Sequence, residues 1–248
     1  MEKKATISVA IIALNEEDRL PACLATLDFA DEVVVVDSGS SDRTVEIAKQ
    51  SGAKVFNNAW QGFGAQKQFA IDQCRCEWIL IVDADERLPP ETVKEIQKTV
   101  QSSIYSAHSL PRKNFFMGCW IRHAGWWPDR TVRLFKKGTA HMPPKLVHES
   151  LVIKGAVGEL VNPLVHIPFR NLAHMLKKMD TYSSAGAKEL YQKGECSSYC
   201  KAFFRAAWAF FYNYLVRRGI LDGGPGLVIA VSDAVNKFFK YVKLREMR

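Results

Sequence analysis

Trp78-Ile79-Leu80-Ile81-Val82-Asp83-Ala84-Asp85-Glu86 joins an unbroken apolar run to three acids. A run this short and this apolar fits a strand buried on both faces. Alternate residues leaving such a strand can hold two carboxylates near one point, and hard oxygen ligands suit Mg²⁺ or Mn²⁺. Upstream, the pattern repeats. Residues 7–14 form an apolar run leading into Asn15-Glu16-Glu17, and residues 32–37 carry Val33 to Val36 and end in Asp37-Ser38-Gly39-Ser40. A third short strand is expected at 54–57. Helical patterns separate these runs: Leu20, Leu24 and Leu27; residues 42–51, with Ser40 or Ser41 as N-cap; residues 65–74; and a helix opened by Pro89 and Pro90. The alternation predicts an α/β fold with a doubly wound, mostly parallel sheet. Ligands bind such sheets outside the carboxyl ends of the strands, where the three polar clusters lie.

Downstream the composition changes. Residues 101–170 are rich in Trp, Pro, Gly and His, with strand-like pieces at 105–110, 131–135 and 151–153. Helices are expected at 171–192, 201–218 and 226–243, the last two separated by the turn Gly223-Gly224-Pro225-Gly226. Residues 1–170 therefore read as the catalytic domain and 171–248 as a helical extension. Of the net charge of +8, +6 falls in residues 193–248, which hold ten Lys/Arg against four Asp/Glu. A basic tail dense in Phe, Trp and Tyr points to an anionic membrane surface. Nucleic acid is disfavoured because no base-reading motif accompanies the charge. The six cysteines lack zinc spacing and read as reduced, small hydrophobes. No secretory signal is visible, and residues 206–216 fall short of the ~20 apolar residues that span a bilayer.

The segments Ala13-Leu14-Asn15-Glu16, Asp37-Ser38-Gly39-Ser40-Ser41-Asp42-Arg43-Thr44 and Asp83-Ala84-Asp85-Glu86 resemble, in order and spacing, the inverting family 2 glycosyltransferases of the GT-A fold. The later Trp126-Trp127-Pro128-Asp129-Arg130 and Val147-His148-Glu149, with the aromatic basic tail, resemble the lipopolysaccharide core β-1,4-glucosyltransferase branch. That resemblance implies a UDP-sugar donor, UDP-glucose, and an acidic saccharide-lipid acceptor, an inner-core heptose. It implies a peripheral position on the cytoplasmic face of the membrane. Asp37 would contact the uracil or ribose, with Ser38 and Gly39 in the same loop, and the backbone of Ala13 to Glu16 would wall the base. Asp83 and Ala84 would lie near the ribose. Asp85, with Asp83, would bind Mg²⁺ or Mn²⁺, and Lys67 could reach the diphosphate. His148 is a candidate ligand to metal or diphosphate. Inversion requires a carboxylate that takes the acceptor proton; Glu149 and Asp129 both qualify, and Glu149 is preferred.

Arg112, Lys113, Arg122 and Arg133 lie in sequence among Phe115, Phe116, Trp120, Trp126 and Trp127, a lining that suits an acidic saccharide. Other readings are a sugar nucleotidyltransferase, a polyprenyl-phosphate or other envelope-polysaccharide glycosyltransferase, and a non-catalytic membrane adaptor. The acidic turn after the first strand has no glycine-rich triphosphate loop, which weighs against the first. A homo-oligomer is compatible with the sequence.

Overall fold

The computed structural model describes residues 4–143 and 151–247. Among them, the central strands β1 (Ile7–Ala13), β2 (Glu32–Asp37), β3 (Lys54–Asn57) and β4 (Trp78–Ile81) form a parallel block in the order β3-β2-β1-β4. The sheet continues antiparallel from β4 into β8 (Asp129–Lys136) and then to β6 (Ala107–Phe116), β12 (Leu164–His166) and β5 (Glu86–Arg87). Residue parity explains why β1, β2 and β4 are largely apolar. Val9, Ile11, Val35 and Leu80 face one core, with α1 (Leu20–Leu24), α2 (Thr44–Gln50) and α4 (Pro90–Ser102). Ala10, Val34, Val36, Ile79 and Ile81 face a second core, which includes Ala70 and Ile71 of α3 (Phe63–Gln73). Both faces are therefore covered, as a doubly wound sheet requires.

The chain divides into two compact units. One comprises Met1–Arg112 and Arg130–His166, and the other Lys113–Asp129 and Ile167–Arg248. In the second, α5 (Leu172–Gln192) is capped by Asn171, whose side chain accepts from His174 N. Helices α6 (Tyr199–Phe211) and α7 (Gly223–Glu246) follow. Phe116, Ile121, Ala124, Met175 and Ile229 form this unit's core, which joins the Trp-rich segment to the helices.

Several local expectations need correction. Neither Ser40 nor Ser41 caps α2; Asp42 Oδ1 instead accepts from Thr44 N and Thr44 Oγ1. Gly223 to Gly226 is not a separating turn but the first turn of α7, where Pro225 sacrifices no intrahelical bond. Cys23 and Cys74 are buried, whereas Cys119, Cys196 and Cys200 are exposed and do not act as core hydrophobes.

Candidate functional site

The loops leaving β1 and β2 are bonded to each other through the residues that the sequence singles out. Asn15, at φ 55, donates from its N to Ser40 Oγ, and its Oδ1 accepts from Ser41 N at 2.9 Å. Glu16 N donates to Thr44 Oγ1, Glu17 N to Asp42 Oδ2, and Arg43 N to Glu17 Oε2. Asp37 is 2% exposed. Its Oδ2 accepts from Gly39 N and Ser40 N at 2.8 and 2.9 Å, folding the loop back on the strand end, and Gly39 supplies the positive φ of 96°. Ser38 Oγ accepts from Gln66, a fully buried α3 side chain that also bonds the Asn58 carbonyl. Asn15, Asp37 and Ser38 thus shape these loops, whatever else they contact. Leu14 is exposed between them.

The second cluster lies where β4 ends. Asp83 Oδ1 is 3.0 Å from Lys67 Nζ, and Asp83 Oδ2 accepts from Arg133 Nη2 at 2.7 Å. Lys67 is therefore not a solvated helix lysine. Burial disfavours the ionised Asp83, but Arg133 and then Lys67 outweigh it and hold the carboxyl well below the usual carboxylate range. Glu86 is fully buried. It bonds Arg133 and accepts from Asp83 N at 2.9 Å. Burial pushes its carboxyl up; Arg133 opposes this and the Asp83 charge adds to it. Arg133 accordingly belongs with these acids and not with the Trp-rich segment.

Asp85 accepts from Arg19 Nη1 at 3.2 Å, and His166 Nε2 lies 3.6 Å from its other oxygen. His166 reaches this point because β12 pairs antiparallel with β5, His166 opposite Glu86. Sequence reading missed Arg19, Gln66 and His166, named Glu86 only within the Asp83–Glu86 motif and grouped Arg133 with the Trp-rich segment. Of the three missed, only Arg19 carried a local signal, as a lone cation one turn after the acidic loop. Ala84 is buried between the two acids. Among the described residues no group of three His, Cys, Asp or Glu converges as a metal cage. One carboxylate and one imidazole remain a fitting donor set for a divalent ion that completes its shell on phosphate oxygens. Glu149 and His148 lie outside the described residues. Asp129 opens β8 four residues before Arg133 and accepts from Asn114 Nδ2 at 3.1 Å.

A mostly parallel sheet with bonded loops at its carboxyl edge, a charged cluster there, and helices following is the architecture of GT-A glycosyltransferases. The crystal structure of S. aureus TarS 1-349 in complex with UDP-GlcNAc aligns at a TM-score of 0.52 and 15% identity, covering 94% of this chain and 81% of that one. Residues 8–159 match glycosyl transferase family 2, and the chain belongs to that family. An uncharacterized glycosyltransferase of Rickettsia felis is 32% identical over 99% of this chain and 90% of its own length. The lipopolysaccharide core biosynthesis glycosyltransferase LpsC of Rhizobium meliloti is 28% identical over 98% and 93%.

Proposed function

We propose that this family 2 enzyme moves glucose from UDP-glucose, with inversion, onto a heptose of a lipopolysaccharide inner core at the cytoplasmic membrane face. The observation that carries this reading is the pairing of Asp85 with His166 beside two cations, Arg19 and Lys67. Such a set can receive a divalent ion and the diphosphate it neutralises. Full-length likeness to LpsC, which is named for lipopolysaccharide core biosynthesis, supports the acceptor class.

In this mechanism the loops around Ala13 to Glu16 and Asp37 to Gly39 receive the nucleoside. Lys67, held by Asp83, and Arg19, held by Asp85, lie ready to turn toward phosphate oxygens. Asp85 and His166 would hold Mg²⁺ or Mn²⁺, whose charge counters that developing on the leaving diphosphate. Glu149 takes the acceptor hydroxyl proton, and Asp129 is the alternative base. The exposed aromatic face of α6, with the basic tail, supports a position on an anionic bilayer. No helix among the described residues is long and apolar enough to cross one.

The test is UDP release from a panel of UDP-sugars with purified core saccharide. UDP-glucose should be the productive donor, and Glu149→Gln should retain nucleotide binding while losing transfer. Wild-type turnover by that variant would pass the role to Asp129. Turnover only with polyprenyl phosphate would move the enzyme to another envelope pathway.

A further inference from the structure

The segment Lys113–Asp129 contains a hairpin that the donor chemistry does not use. The end of β6 pairs antiparallel with β7 (Cys119–Trp120), Phe115 opposite Trp120 and Phe116 opposite Cys119. The two linking residues, Met117 and Gly118, have φ of 51° and 76°, the positive values that a tight type I′ hairpin demands. Ile121 N donates to Asn114 O, so the pairing runs on past β7. That register sets Lys113 opposite Arg122, on the face that carries Phe115 and Trp120.

Two like charges directly opposite each other destabilise an antiparallel pair. Here both cations converge further, on one indole. Lys113 Nζ is 4.4 Å and Arg122 Cζ 4.3 Å from the Trp120 ring centre, and Trp127 meets that ring edge-on at 5.3 Å. Among the described residues neither cation has a carboxylate partner. The neighbouring acid, Asp222, is occupied: it accepts from Arg122 N, His123 N and His123 Nδ1. The indole's attraction for each cation offsets part of their repulsion, but it supplies no negative charge. An anion would.

We propose that this hairpin face binds an anionic sugar, one carrying a carboxylate or a phosphate. Lys113 and Arg122 hold the charged group, and the apolar face of the sugar lies on the half-buried Phe115 and Trp127 rings. The inference deepens the acidic-acceptor reading, and rests on it for the biological source of the sugar, but binding here requires no turnover. Arg112 and Arg133 have no part in it.

The experiment follows the indole N–H resonance of Trp120 in the ¹⁵N-labelled full chain, assigned with Trp120→Phe. Glucuronic acid and glucose 6-phosphate are titrated separately, with glucose and inorganic phosphate as controls. Saturable shifts with either anionic sugar are expected, and which one titrates identifies the anion. Glucose and phosphate should each bind at least about tenfold more weakly, the loss of one charge-assisted contact or of the stacked ring. Lys113→Gln with Arg122→Gln, folded by the dispersion of its amide spectrum, should lose the anionic sugar by a similar factor. Equal titration by glucose, equal titration by phosphate, or no shift with either anionic sugar would overturn the site. Intact binding without transfer to any core saccharide would instead count against the acceptor reading alone.

Discussion

Arg133 Nη2 donates to Asp83 Oδ2 at 2.7 Å and also bonds Glu86, so one buried nitrogen serves two carboxylates three residues apart on the same turn. Removing the cation would leave the fully buried Glu86 uncompensated beside the partly buried Asp83. Breaking a buried pair from one side typically costs about 3–5 kcal/mol, because the uncompensated charge stays behind. Arg133→Met should lose stability of that order in urea denaturation. A loss below about 1 kcal/mol would show that the acids simply protonate at little cost.

Asp85 lies beside both the His166 imidazole and the Arg19 guanidinium. Asp85→Ala should lower transfer by about a hundredfold or more, the scale for removing a charge-stabilising group. The fold should survive. His166→Ala should raise the divalent-ion concentration for half activity by about tenfold or more. Full activity of the native enzyme in excess chelator would remove the metal from the mechanism.

At the other end of the strands, Glu32 accepts from Ser8 Oγ, Lys54 Nζ and Arg75 N. Burial opposes its ionised form, but the bonds to Lys54, Ser8 and Arg75 N prevail and hold the carboxyl below its ordinary value. A carboxyl lowered on folding stabilises fully above its unfolded value, about 4.3, and loses that contribution as pH falls through the folded one. Glu32→Gln should therefore be less stable than wild type near neutrality, with the difference shrinking in acid. A constant difference across pH in thermal melts would refute the linkage.

Phe203, Phe204 and Trp208 are 61%, 69% and 60% exposed on α6. Lys243, by contrast, bonds Asp180, Ser183 and Ser184, and is a poor probe of surface charge. Changing Phe204 and Trp208 to Ser should weaken sedimentation with anionic vesicles at every salt concentration, since apolar burial is not screened. Arg218→Glu should weaken it mainly at low salt. Unchanged binding by both variants would mean that α6 meets protein, not lipid.

The fold was legible wherever burial on two faces forced continuous apolar runs. Val33 to Val36 and Ile79 to Val82 could hardly be anything but central strands. The short strands were not. Leu164–His166 is three residues long, and its ladder to Glu86 depends on a fold-back that local pattern does not encode. His166 was hidden for that reason. Arg133 was hidden for another: between aromatic and basic neighbours in sequence, its acid partners lie 47 and 50 residues away on a single turn. Asp37 and Asn15 were visible as polar residues at strand ends. That they bond their own loops, one to the other, emerges only when both strands are in register.

The Met117-Gly118 turn also makes the hairpin a counter. Side chains alternate faces along a strand, so one added residue at this tip would carry Trp120 and Arg122 to the side opposite Lys113 and Phe115. Every member of the cluster would still be present in the sequence, yet the cluster itself would be gone. A search for this feature in related chains must therefore count the spacing from Lys113 to Arg122, since residue identity alone would accept chains in which the two cations never meet.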